Sequence, residues 1–291
     1  MKIKRLLTLL CAAVLAGTGL VSCNKEGNDK SLEMTGKYEI SDSSCPYAAI
    51  ELTDNGEYIV TRNVSSANAD DVEMDEVWSY GDFTFSAGKF HLQEFGELVV
   101  EDLGNGRYSL FIDATDGYDP ITVGATRSST VKKAKINNLL CRHWDYVSTR
   151  FRVEVNGTEY ANFEVKGDNL SRWFKDNDTD ALGIDEQFDG LIFTENGTYA
   201  VVYDNRKINV GSWDWSNSAN GSMECDWSNG YSSWFKEYRF SGSMSVNVEE
   251  GAERKDDVCV VTRSFDMTIK KLFSHKSCSV SLIYTLKDPK N

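Results

Sequence analysis

Three histidines, His91, His143 and His275, are the whole imidazole complement of this 291-residue chain. None stands in an H-E-x-x-H run, which would set two imidazoles on one helix face, and no G-x-S-x-G offers a serine on a strained turn. His275 lies among Lys271, Ser274 and Lys276, as in a hairpin turn. A pair of carboxylates can hydrolyse a glycosidic bond, but among 45 acidic residues no pair stands out by spacing. The run Asp176-Asn177-Asp178-Thr179-Asp180 has the oxygen spacing that begins a calcium loop. Ala181 then stands where that loop turns on glycine, and Gln187 where it needs a bidentate glutamate. Asp70-Asp71-Val72-Glu73-Met74-Asp75-Glu76 reads as a solvated acidic loop or strand edge. The expectation is a protein without a catalytic motif, metal site or cofactor.

Aromatic side chains are the remaining candidates. Trp213 and Trp215 are two apart in a strand-like stretch and so share one face. They either fill a β core or line a groove where a sugar ring or apolar molecule stacks. Trp227, Tyr231 and Trp234, with Phe235, lie in a stretch rich in Ser, Asn and Gly. That is loop composition, and aromatics on a loop at a barrel mouth suit a ligand.

Cysteine chemistry concerns export first. Met1-Lys2-Ile3-Lys4-Arg5 is cationic, and Leu6 to Val21 is uncharged and mostly apolar. The run is shorter than the roughly 20 residues of a spanning helix, so residues 1–22 read as a cleaved signal peptide. Leu20-Val21-Ser22-Cys23 resembles the bacterial lipobox, with a small residue before a cysteine whose thiol takes lipid. Cys23 then anchors the chain to a membrane, and Asn24 at the following position favours the outer membrane, on its periplasmic or its outer face. Residues 23–33 are polar and form the tether. Cys45, Cys141, Cys225, Cys259 and Cys278 remain. Export permits disulfides, yet five is odd and no C-x-x-C occurs, so bridges and buried single thiols both fit.

The formal charge is −14, and the chain without its leader's three cations is more acidic still. Such a surface repels phosphates, so no nucleic-acid partner is expected.

The elements that would position these residues are strands. Phe83-Thr84-Phe85, Glu97–Val100, Tyr108–Ile112, Phe151–Val155 and Cys278–Tyr284 alternate apolar and polar residues with β-branched and aromatic content. Asp54-Asn55-Gly56, Asn105-Gly106, Asn156-Gly157 and Asn196-Gly197 mark turns between them. Asp168–Asn177 has Leu170, Trp173 and Phe174 at helical offsets, which predicts one short helix capped by Asp168. Ile50–Val60 and Leu191–Val201 echo each other: an alternating strand, an acidic-Asn-Gly turn, then an aromatic and aliphatics. Gly36-Lys37-Tyr38 and Arg142-His143-Trp144 precede them. The echo is either a duplicated β unit or shared turn chemistry. The prediction is an all-β chain of two antiparallel domains, 34–128 and 137–288, joined through the basic stretch Ser128–Lys135.

The second half, over about 137–287, resembles the lipocalin-like lipoproteins of Bacteroidetes. Leu140-Cys141-Arg142-His143-Trp144, the helix around Trp173, Leu191–Tyr199 and Gly211-Ser212-Trp213-Asp214-Trp215 carry the resemblance. It implies an up-and-down barrel or half-barrel with a cavity, and no particular reaction. True lipocalins open with Gly-x-Trp. Here Arg142-His143 precede Trp144, and Gly36-Lys37-Tyr38 keeps the glycine but not the tryptophan. Three functions follow in order: non-catalytic binding of a small apolar molecule or glycan; docking of an envelope protein partner; hydrolysis of a glycan.

Overall fold

The computed structural model describes residues 33–63, 77–131, 133–166, 188–203, 207–226, 242–268 and 277–289. The expected signal peptide, all of the expected tether but Glu33, and the helix predicted at Asp168–Asn177 lie outside them.

Eight strands form the first barrel: β1 (Gly36–Ile40), β2 (Tyr47–Leu52), β3 (Glu57–Arg62), β4 (Trp78–Ser86), β5 (Lys89–Leu92), β6 (Gly96–Gly104), β7 (Arg107–Ala114) and β8 (Ile121–Arg127). Each pairs antiparallel with the next, and β8 returns to β1, so no edge is left open. A four-residue helix, α1 (Asn137–Leu140), then leads into β9 (His143–Val155) and β10 (Thr158–Val165). The chain continues through β11 (Phe188–Phe193), β12 (Thr198–Tyr203), β13 (Ile208–Asn217) and β14 (Ser222–Asp226). It ends with β15 (Gly242–Glu249), β16 (Val258–Thr268) and β17 (Ser277–Lys287). These strands close a second barrel where β17 meets β9, while β10 forms a hairpin on the outer half of β9. The all-β, two-unit architecture is as the alternation predicts, and the second unit is a closed barrel rather than a half-barrel. The one short α-helix among the described residues is α1, just ahead of β9.

Turn residues explain the hairpins. Asn105-Gly106 and Asn156-Gly157 both have positive φ at each residue, as the two-residue turn matched to strand twist requires. In Asp54-Asn55-Gly56 and Glu195-Asn196-Gly197 only the glycine is left-handed, the pattern of a longer turn that ends on one αL residue.

The echo in the sequence is an echo in space. Leu52 faces Tyr58 and Ile50 faces Val60; Phe193 faces Tyr199 and Leu191 faces Val201. Thr53 Oγ1 accepts from the Glu57 amide at 3.1 Å, and Thr194 Oγ1 accepts from the Thr198 amide at 3.1 Å. Tyr58 then faces Gly81 as Tyr199 faces Gly211. The hydroxyl of Tyr38 donates to the Met34 carbonyl, and Trp144 Nε1 donates to the Leu140 carbonyl at 2.9 Å, each four residues back. The two barrels therefore repeat one plan from the turn before the first strand onward.

Among the described residues, large side chains crowd both interiors. Tyr38, Tyr58, Phe90, Leu98 and Leu110 occupy the first; Trp144, Phe151, Tyr199, Leu282 and Tyr284 occupy the second. Full burial of each such side chain contributes roughly 1.5–3 kcal/mol. Every residue of β12 is buried, which a strand with one wet face cannot be. Its second face is covered by the first barrel: Ile59, Val77 and Trp78 belong to the apolar cluster of the second.

Candidate functional site: the seam between the barrels

The seam holds buried polar side chains that join the two barrels. Glu51 projects from β2 and is only 2% exposed. Its two oxygens accept from Asn196 Nδ2 at 3.0 Å and Thr198 Oγ1 at 2.5 Å, tying β2 to the turn before β12. Asn55, in the matching turn of the first barrel, donates to the Cys141 carbonyl at 3.2 Å and accepts from Arg254 at 3.1 Å. Hydrogen bonds to a charged group are the stronger kind, so the Glu51 pair fixes how one turn sits against the other barrel.

The end of the second barrel beside the seam is closed by a buried ionic cluster. Arg142 spans Asp257 at 2.6 Å and Asp288 at 2.5 Å, and its guanidinium lies 4.3 Å from the centre of the Trp144 ring. Arg254 adds a second cation at 2.9 Å from Asp288. Paired charge of this kind tolerates burial because each group finds its counter-ion.

Between the two acidic-Asn-Gly turns opens a cleft of about 380 Å³. Thr53, Asp54 and Asn55 form one wall and Thr194, Glu195 and Asn196 the other, with Arg127, Thr130, Asn138 and Arg254 at the margins. Two carboxylates and two guanidiniums leave it near neutral. Glu195, Asn138 and Thr130 present side chains that make no hydrogen bond to another described residue. Cys141 also lines it. Burial, reinforced by Glu195, Glu51 and Asp54, pushes its thiol well above the ordinary range, so it is a protonated thiol and a poor nucleophile.

The aromatic candidates divide. Trp213 and Trp215 are each 3% exposed and stand edge to face, 5.2 Å apart. Their indole N–H groups donate to the Thr194 carbonyl at 3.1 Å and to Asn137 Oδ1 at 2.8 Å. They belong to the second barrel's core, and Trp213 backs the Thr194 wall of the cleft. Trp227, Tyr231 and Trp234 lie outside the described residues, as do Cys23 and the Asp176–Asp180 run. Cys45, Cys141, Cys225 and Cys259 are free thiols, and burial raises the pKa of each.

No protein-family model, curated protein or solved structure matches this chain. The seam itself must therefore carry the functional argument. A second cleft, of about 390 Å³, is lined by Glu57, Tyr80, Asp82, His143, Asp145 and Asp189. Tyr80 donates to Glu57 Oε1 at 2.9 Å, and His143 Nδ1 lies 2.9 Å from the Tyr80 oxygen and 3.3 Å from Glu57. Glu57 and His143 are 86 positions apart, so no local spacing announces this group. The only prior signal was the acidic-Asn-Gly echo, whose first turn ends on Glu57. Among the described residues no three His, Cys, Asp or Glu side chains are placed to hold a metal ion.

Proposed function

We propose that this chain is an exported lipoprotein, lipidated at Cys23 and held at the outer membrane, on its periplasmic or outer face. There its lipocalin-like barrels bind a small hydroxyl-rich ligand, a glycan fragment, without chemical change. The leader and the lipobox-like Leu20-Val21-Ser22-Cys23 support the anchor. The cleft between the Thr53–Asn55 and Thr194–Asn196 turns carries the ligand assignment. It is open, near neutral and lined by carboxylate, amide and hydroxyl groups that both donate and accept, as sugar hydroxyls need. An apolar ligand would need a dry cavity, and the described interior of each barrel is occupied by its own aromatic side chains.

Calorimetric titration of the chain from Asn24 onward with envelope and host glycan fragments tests this. The expected result is saturable binding that Glu195→Gln and Asn138→Ala each weaken about tenfold, the worth of one good hydrogen bond. Binding that both variants leave intact would place the ligand elsewhere. If loss instead followed Trp227→Ala or Trp234→Ala, the site would be those aromatics. An envelope scaffold that docks a protein partner is the second reading. The crowded interiors favour it, and it expects no glycan binding at all.

A further inference from the structure

The outer wall of the first barrel sets a hydroxyl, an imidazole and a carboxylate in line. Ser86 ends β4, His91 lies in β5 and Glu97 in β6. The register puts His91 opposite Glu97 on one side and opposite Thr84, two residues before Ser86, on the other. The three side chains therefore stand on one face, within reach of one another. Ser86 Oγ lies 2.9 Å from His91 Nε2, and His91 Nδ1 lies 3.4 Å from Glu97 Oε1. The second Glu97 oxygen accepts from Lys89 Nζ at 2.8 Å.

Protons decide what such a trio can do. The hydrogen bond from Lys89 is the leading cause that holds the Glu97 carboxyl below its usual range. It is ionised at neutral pH, can only accept, and so favours the His91 proton on Nδ1. Nε2 is then bare, and the Ser86 hydroxyl donates to it. That is the order of atoms in which an imidazole takes a serine proton as the oxygen attacks a carbonyl. Exposed polar groups on a sheet are ordinarily just solvated, but the turn after Ser86 adds a second feature. Ala87 and Gly88 both have positive φ, 52° and 80°. The first is an uncommon state for a residue with a Cβ, and such strain gathers at functional sites. Neither amide N–H of the turn is bonded to another described residue. The Ala87 amide directly follows the serine, the place from which a backbone donor meets the oxyanion in many serine hydrolases. A Cβ at Gly88 would meet nothing within 4 Å, so a substrate has room above the turn.

We infer that Ser86 is a nucleophile that hydrolyses small carboxylic esters on the outer wall of the first barrel. Ser86 Oγ attacks the ester carbonyl carbon, and its proton passes to His91 Nε2. The C–O bond to the alcohol breaks, and His91 returns the proton to the departing oxygen. Water then attacks the acylated Ser86 by the same route, releasing the carboxylic acid and the free serine. Glu97 does not touch the ester; it orients His91 and stabilises the imidazolium that forms. Ser86 is exposed and the His91 side chain is 41% exposed. Water is not excluded, so turnover is slow and the alcohol is chosen loosely. No sequence motif announces the site, because its residues meet only through the register of β4, β5 and β6. The site stands whether or not the seam holds a glycan.

Phosphonylation of the chain from Asn24 onward by a fluorophosphonate, read by peptide mass, tests the assignment. The expected result is an adduct on Ser86, formed with loss of fluoride and absent from Ser86→Ala. It forms at least about a hundredfold more slowly in His91→Gln. Glu97→Gln slows it at least about tenfold, and Glu97→Asp restores part of the rate. Hydrolysis of p-nitrophenyl acetate falls about a hundredfold in Ser86→Ala. Ser86 and His91 lie on the surface, so their variants keep the parent's unfolding midpoint. No adduct on Ser86, an adduct rate unchanged in His91→Gln, or ester hydrolysis equal in the parent and Ser86→Ala would each overturn it.

Discussion

The two barrels share a plan but close their ends differently. In the first, the position ahead of the buried aromatic is Gly36. Arg127 from the last strand crosses it so closely that a Cβ there would lie 2.4 Å from Nε. That arginine is exposed and donates to the neutral carbonyls of Glu33 and Thr35. In the second barrel the matching position is Arg142, because the Phe193 amide donates to its carbonyl where Leu52 faces Gly36. The guanidinium now comes from the residue just ahead of the first strand, is buried, and is held by two carboxylates. Arg127 stands opposite Tyr38 in the strand register, while the Arg142 guanidinium lies over the Trp144 ring, and only the second barrel depends on its arginine.

The largest test of that contrast is Arg142→Ala against Arg127→Ala. Removing the buried cation leaves Asp257 without its counter-ion and Asp288 with Arg254 alone, and should cost about 3–5 kcal/mol. Removing Arg127 loses exposed hydrogen bonds to carbonyls and should cost about 1 kcal/mol. Urea unfolding of both variants measures this, and equal losses would break the comparison. Next comes the link between the barrels. Glu51→Ala leaves Asn196 and Thr198 without their buried acceptor and should cost about 1–3 kcal/mol. Because the seam couples the barrels, the parent should unfold in one transition and Glu51→Ala in two, readable by calorimetry; one shared transition in both would break the coupling.

A smaller effect separates the two buried aromatics. Tyr38→Phe deletes the hydrogen bond to Met34 and should cost about 0.5–1.5 kcal/mol at neutral pH. The same variant has a pH signature that Trp144, which does not titrate, cannot have. Burial pushes Tyr38 up to about 12 from 10.0, so its contribution is complete below pH 10. It is lost as pH rises from there through about 12, because the unfolded phenol ionises first. The alkaline loss of stability should therefore be shallower in Tyr38→Phe than in the parent. Least in energy, burial raises Cys225 to about 12 and holds Cys141 and Cys259 higher. These thiols should resist Ellman's reagent at pH 8 until the chain is unfolded. Rapid reaction of the native protein would contradict their burial.

Much of the fold was legible because it is written in local signals. Phe151–Val155 and Cys278–Tyr284 alternate with period two, and the Asn-Gly pairs carry the positive φ that hairpins need. The Ile50–Val60 and Leu191–Val201 echo was legible too, though sequence alone leaves open whether two hairpins or two whole barrels match. The register settles on barrels, since Tyr38 and Trp144 reach back four residues alike. The sites were scarcely legible. Trp213 and Trp215 fit a core or a ligand face equally by spacing, because period two says only that they share a side, and that side is inward. Packing of one barrel's outer wall on the other brings Glu51 to Asn196 and Thr198, and the Glu57–Tyr80 pair to His143. That packing shows in sequence only as unbroken apolar character in Tyr199–Tyr203, where a strand with one wet face should alternate.

The central claim is that ligands meet this molecule at the seam between barrels with crowded interiors. Chemical-shift mapping of the chain from Asn24 onward, titrated with the glycan fragment that binds best, tests it most directly. The account predicts shifts centred on Thr53–Asn55, Asn138 and Thr194–Asn196, with Trp213 Nε1 moving behind them. Shifts confined to Trp227, Tyr231 and Trp234, or spread through interior residues such as Tyr199 and Tyr284, would contradict it.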